Sequence, residues 1–540
     1  MHYHYPRIKI NKACKEQYNG FNCSFPLHIQ LNILKLSHSK TISFVFINQP
    51  NCFIMQSLKI RFLVLAFLVS CQSFLFAQEK HYYQTDFLIE EFQARRTKIF
   101  NEIGNNAIAL IQSAPSVAGF KVFRQSNTFY YLCGLEEGHA YLLLNGKNRS
   151  TTLYLPHREE GREKSQGKIL SVEDADLVKE LTGVDHVRAV EFLGNDLVGT
   201  GLIKGSTPVL YTPFSPAETG NDSRDEILHG YARAAADPWD SQTTREARFI
   251  KLINERFPEF KIKDLSPLLD SMRLIKSKKE IEVIRKATEI AGLAIIEAMR
   301  STKPGVYEYQ LDAAAKYVFY QHGSQGDGYP AIIGGGTNAF MGHYFRKTDV
   351  LNDGDLVLMD YAPDYHNYTS DVTRIWPVNG KFNKAQTALY EFIIEYRDAL
   401  FRYIKPGTTA NDVLDKAAAD MKKYLVGKTF EKPEHLKAVE KGIEFRGHFQ
   451  HPVGMAVHDV GRVRGNVVLQ PGMVFTIDPM IWIPEERLYI RIEDVAVVTE
   501  TGVENLSAFV PTKISDVEKT IKEKGLTEFR PAKSLPLKRN

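Results

Sequence analysis

The sequence predicts an α/β protein of two parts, an N-terminal α/β domain over residues 85–265 and a second domain over 266–515 built as a pseudo-twofold repeat. Three observations predict it. Short apolar runs alternate with helical periodicity in the first part. A turn, an Ala-rich segment and an acid-tipped apolar strand occur twice, in the same order, in the second. The two strand-end acids, Asp360 and Asp478, lie at matching places in those copies.

The length of 540 residues is enough for two or three domains, and 44% hydrophobic with 24% charged residues is ordinary globular usage. Residues 1–54 carry Arg7, Lys9, Lys12, Lys15, Lys35 and Lys40 against Glu16, a net +5, which leaves the remainder of the +4 chain at −1. Such a near-neutral body offers no electrostatic footprint for nucleic acid, so no nucleic-acid partner is expected. Of Cys14, Cys23, Cys52, Cys71 and Cys133, one lies beyond residue 77. An internal disulfide or a Cys-x-x-Cys zinc site is therefore not expected there.

Met55 opens a signal-peptide pattern. Lys59 and Arg61 are followed by the apolar run Phe62–Val69 and by Ala77-Gln78 at a cleavage position, so residues 55–77 read as a signal peptide of an exported, periplasmic or secreted protein. Residues 1–54 then read as upstream sequence translated from a misplaced start. Leu68-Val69-Ser70-Cys71 also resembles a lipoprotein box, and anchoring through Cys71 is the alternative.

In the first domain, Phe87–Ile103 has helical patterning, and Ala107–Ile111 and Ala140–Leu144 suit strands, with Asn145-Gly146 as a turn. From Met272 to Met299, Ile281, Ile284, Thr288, Ala291 and Ile295 keep spacings of three and four, which predicts one long helix ending before Lys303-Pro304-Gly305. Residues 516–540 read as a C-terminal tail.

The repeat pairs Lys303-Pro304-Gly305 and Leu311–Ala315 with Lys405-Pro406-Gly407 and Leu414–Ala419. It also pairs Gly354–Asp360 with Gly472–Asp478. Two halves facing each other would bring Asp360 and Asp478 to one central cavity. An unpaired carboxylate at the end of a buried strand costs several kcal/mol, so converging acids need cations. Asp360, Asp371, His451, Asp478 and Glu493 are the candidate ligands. Four carboxylates and one imidazole can hold two divalent ions. The oxygen-rich set favours manganese, with zinc, cobalt or iron as alternatives. Two ions about 3.5–4 Å apart can share a water, hold it as hydroxide and polarise a carbonyl.

His343, His448 and His458 lie near these ligands in sequence and are candidates for proton transfer or oxyanion stabilisation. His448 is three residues before His451, and each single step along a strand reverses the side chain, so its direction is the open point. Arg491 and Glu493 share strand parity, which lets Arg491 orient the cluster or a substrate carboxylate.

These motifs resemble the aminopeptidase P and prolidase family of pita-bread metallopeptidases. The resemblance rests on Leu356–Asp360 followed by Asp371-Val372-Thr373-Arg374, on His451 with His458-Asp459-Val460-Gly461, on Thr476-Ile477-Asp478-Pro479 and on Arg491-Ile492-Glu493-Asp494. His343, ahead of Asp360, matches the family's substrate-side histidine, and Phe123–Gly134 resembles the N-terminal domain signature. The resemblance implies a pita-bread catalytic domain, bridging roles for Asp371 and Glu493, and release of the residue before proline from an Xaa-Pro peptide through a metal-bound hydroxide. It also implies a homo-oligomer. A dipeptide-only prolidase and a catalytically impaired binding protein are the alternatives. The chain departs from the family pattern at Asp478, where glutamate is usual, at Met480, where glycine is usual, and at Gly447, the usual place of a catalytic histidine.

Overall fold

Strand β1 (Ala107–Gln112) shows how the first part is built. Its side chains alternate between two apolar clusters, Ala107, Ala109 and Ile111 on one face and Ile108 and Leu110 on the other. That is the period-2 pattern of a strand covered on both faces. In this computed structural model the described residues are 83–530, apart from 118, 200–206, 221 and 241. The upstream segment 1–54, the signal peptide 55–77 and Cys71 lie outside them.

Helix α1 (Ile89–Ile103) precedes β1, and α2 (Asn127–Cys133) follows it. Strands β2 (Tyr141–Asn145) and β3 (Ser150–Leu155) form the hairpin expected around Asn145-Gly146, and β4 (His186–Ala189) and β5 (Val209–Thr212) extend the sheet. Helices α3 (Arg224–Ala236) and α4 (Arg245–Arg256) lead to β6 (Lys261–Asp264). The mixed sheet has the order β4-β3-β2-β1-β5-β6, with β1 parallel to β5 and antiparallel to β2. Helix α4 covers the smaller face through Phe249 and Ile253.

The long helix expected from Met272 is two helices, α5 (Ser266–Leu274) and α6 (Lys278–Ser301). Ser277 and Glu280 form a reciprocal capping box that starts α6. The residues between them pair outward, Ile275 with Met473 and the Lys276 N–H with the Gly472 carbonyl at 2.9 Å. Pairing with the distant segment that leads into β11 thus replaces local helical bonds at this three-residue break.

The duplication is visible element by element. The first half runs α6, α7 (Glu308–Gln321), β7 (Ile332–Gly335), β8 (Leu356–Asp360) and β9 (Thr373–Pro377). The second runs α8 (Lys384–Tyr403), α9 (Ala410–Tyr424), an added α10 (Pro433–Glu444), β10 (Phe449–Pro452), β11 (Val474–Ile477), the β12–β13 hairpin (Met480–Ile483 and Leu488–Arg491) and β14 (Asp494–Val498). The sheets read β9-β8-β7 and β10-β11-β14, the latter extended by β15 (Val503–Asn505). Paired turn glycines share the left-handed backbone, Gly305 and Gly407 at φ +92 and +85, Gly354 and Gly472 at +86 and +87. A side chain would be strained at each, so the turns repeat because the backbone does. Thr373 of β9 and Glu493, just ahead of β14, form an antiparallel bridge between the two sheets.

Strands β8, β9, β11 and β14 are fully buried, and each Val, Leu or Ile in them contributes roughly 1.5–3 kcal/mol. The region expected to be a tail from 516 begins inside a helix, α11 (Ile514–Ile521), which packs on α6 and buries Val517 and Ile521. Two apolar residues at a spacing of four are enough to dock it. No helix among the described residues is long and apolar enough to cross a membrane.

Candidate metal centre

Asp360 ends β8, Asp371 precedes β9 by two residues, His451 lies in β10, Asp478 follows β11 directly, and Glu493 stands between β13 and β14. The two strand-end acids therefore do meet at one place, beside the Thr373–Glu493 bridge. Ligand atoms of Asp371, His451 and Glu493 lie within 4.8 Å of one another. Asp360 and Asp478 complete the ring through Arg491, whose guanidinium reaches Asp360 Oδ2 at 2.6 Å, Asp478 Oδ1 at 3.0 Å and also Glu493. Arg491 and Glu493 face the same way, as their parity requires, although the strand breaks at Ile492 between them.

The electrostatics fit a cation site. Burial, then Glu493 and Asp360, push Asp371 well above the usual carboxylate range. Burial holds Asp478 up too, against the opposing pull of Arg491. Burial and the neighbouring His458 hold His451 well below the usual imidazole range, so it is neutral and able to donate a lone pair. When ionised, the four carboxylates outnumber the one guanidinium, which pairs with three of them, and the imidazole is neutral. The donor set suits divalent metal ions.

Tyr329 belongs to the same cluster. Its buried hydroxyl bonds Asp360 Oδ1 at 2.6 Å and Asp371 Oδ1 at 2.9 Å. Burial and the two carboxylates keep it a phenol, whose single proton lies between the two acids. Thr373 Oγ1 similarly donates to Glu493 Oε2 at 2.9 Å. Thr373 falls within the Asp371–Arg374 motif, whereas no motif marks Tyr329 in the sequence.

These groups floor an open cleft of about 970 Å³. His343 is exposed on its wall, its ring stacked on Phe345. His458 is half-buried, with its ring centroid 4.1 Å from that of His451. One wall comes from the N-terminal part, Asp222 to Glu226 at the start of α3. Nothing local in the sequence places that segment within reach of residues more than 200 positions away.

His448 is a correction. Its ring lies outside the cleft, fully buried, with Nε2 2.6 Å from the Gly442 carbonyl and Nδ1 accepting from the Met480 N–H at 3.3 Å. Tyr396 and Phe445 meet it edge-on. The odd step from His451 turns it into the core. Burial pushes its pKa down to about 4, so it is neutral and donates through Nε2. His448→Ala is expected to destabilise the fold by about 2–4 kcal/mol, from a cavity and two orphaned backbone groups. Turnover per folded molecule should stay within about twofold, since the ring is outside the cleft. Denaturation and active-site titration check this. An unchanged stability with a large loss of turnover would return His448 to catalysis.

Residues 282–500 match metallopeptidase family M24, and residues 92–206 match the aminopeptidase P N-terminal domain. The chain is 32% identical over 451 residues to the Xaa-Pro aminopeptidase of Escherichia coli, covering 79% of this chain and 97% of that protein. It is 30% identical over 418 residues to human Xaa-Pro aminopeptidase 3, covering 73% and 76%. The solved structure of E. coli aminopeptidase P with the inhibitor Pro-Leu superposes with a TM-score of 0.65 at 30% identity, covering 81% of this chain and 99% of that one. A match in both sequence and fold over nearly the whole of that relative and about four fifths of this chain, with an acidic cluster between the two halves of the repeat, makes this chain a member of the aminopeptidase P group of metallopeptidase family M24.

Proposed function

We propose that the protein is a two-metal Xaa-Pro aminopeptidase that releases the N-terminal residue preceding proline. The observation that carries this is the meeting of Asp371, His451 and Glu493, flanked by Asp360 and Asp478, on the floor of an open cleft. Asp371 and Glu493 would each serve both ions, Asp360 one, and His451 with Asp478 the other. The oxygen-rich set favours manganese. When bound, the ions supply Lewis-acid activation of the attacking water and of the scissile carbonyl.

The protein's own groups do the rest. Tyr329 and Thr373 fix the carboxylate oxygens. Arg491 restrains three acids from spreading under their mutual repulsion. His458 has Nδ1 engaged by Asp225 at 2.7 Å, which leaves Nε2 to carry a proton toward the leaving proline nitrogen. His343, on the cleft wall and without a hydrogen-bond partner in the described structure, is placed to donate to substrate.

Purified protein with manganese should cleave Xaa-Pro tripeptides and longer peptides before proline, and leave peptides with alanine at the second position intact. The cleft volume is ample for more than a dipeptide. Cleavage confined to Xaa-Pro dipeptides would make it a prolidase. No cleavage with manganese, zinc, cobalt or iron would make it a binding protein.

A further inference from the structure

The N-terminal part does more than wall the cleft. Ser223 and Asp225 sit at the start of α3, and both hold His458. The buried Ser223 hydroxyl accepts from the His458 backbone N–H at 3.2 Å, and Asp225 Oδ2 lies 2.7 Å from His458 Nδ1. The next residue is held from the same side. Asp459, buried, pairs with Arg273 of α5 at 2.5 Å and with Lys276 at 3.1 Å.

Arg273 in turn pairs with Glu218 at 3.0 Å, and Glu218 with Arg224 at 2.9 Å. Arg224 also grips Asp270 at 2.7 Å. The frame is closed: Glu218 and Arg224 fix the start of α3, Arg273 ties them to Asp459, and Asp225 returns to His458. Buried ion pairs add little net stability, because desolvation offsets attraction, but they define one geometry. Here that geometry fixes the imidazole beside His451.

Resting on the proposed role of His458, we infer that Asp225 is a positioning residue of the reaction, supplied by the N-terminal part. Its carboxylate sets the Nδ1–H tautomer and the ring plane, which aims Nε2 into the cleft. Asp225 touches neither the five candidate ligands nor the reacting atoms.

The test is a double-mutant cycle on the manganese-loaded enzyme with an Xaa-Pro tripeptide. Asp225→Ala should lower kcat about 10- to 100-fold, within the range of acid–base contributions, with KM within about twofold and bound manganese unchanged. Asp225→Glu should restore part of the loss. In a His458→Ala background, Asp225→Ala should cost nothing further. Additive losses would overturn the inference, since Asp225 would then act without His458. A raised KM at constant kcat would overturn it in favour of substrate binding. Full activity of Asp225→Ala beside an impaired His458→Ala would sink the inference and leave the proposed function standing. Full activity of His458→Ala would instead remove the role on which it rests.

Discussion

Asp371→Ala is expected to lower kcat/KM by about a thousandfold or more, and to lower the bound metal with it. Asp371 touches both ends of the cluster: Oδ1 accepts from Tyr329 at 2.9 Å, and Oδ2 lies 3.4 Å from His451 Nε2. In the proposed centre Asp371 would serve both ions, so its loss would weaken both sites. A thousandfold is about 4 kcal/mol of transition-state stabilisation, within what a Lewis-acid centre supplies. Elemental analysis and steady-state kinetics on the same preparation decide the matter. Unchanged metal content beside lost activity would show that Asp371 is not a ligand. The folded state should survive, because Asp371 is held up by burial, Glu493 and Asp360. Removing one of several repelling carboxylates relieves the metal-stripped protein. Asp371→Asn, which keeps an oxygen for Tyr329, should be at least as stable as the native protein when metal-free.

The legible part of this molecule is the part encoded locally. Gly354 and Gly472 mark left-handed turns that other residues tolerate poorly, so the duplication shows in the sequence as a repeated glycine ahead of a repeated strand. Asp360 and Asp478 stand out because an acid closes an otherwise apolar run. The helix break at Ile275–Ser277 was hidden for the opposite reason. The apolar spacing continues across it, and the deciding bonds go to Gly472 and Met473, some 200 residues away. His448 shows a third case. Sequence proximity to His451 suggested the cleft, strand parity argued against it, and parity agrees with the observed burial beside Tyr396 and Phe445. Tyr329 and Asp225 lie in no recognisable motif. Their positions follow from the docking of whole elements, which pattern within a short window does not contain.

Arg491→Met should have the opposite sign from Asp371→Asn in the absence of metal. Arg491 is buried and, among the described residues, is the one cation shared by Asp360, Asp478 and Glu493. Methionine keeps much of the apolar stem's bulk and removes the charge. The three acids, each only 1–3% exposed, then lose their counter-charge. Removing one partner of a buried pair costs about 3–5 kcal/mol, and three acids share this partner. The metal-stripped variant should therefore unfold at markedly lower denaturant than the native protein. Added manganese should stabilise it more than it stabilises the native protein, because ions take over charge neutralisation that Arg491 had provided. Turnover should still fall, since the ions do not restore the hydrogen bonds that orient Asp360 and Asp478. Arg491→Lys, which keeps the charge and loses the fork, should lie between the two in metal-free stability. Denaturant midpoints with and without manganese measure all of this. If metal-stripped Arg491→Met were as stable as the native protein, the carboxylates would not depend on Arg491, and the charge balance drawn for this site would be wrong.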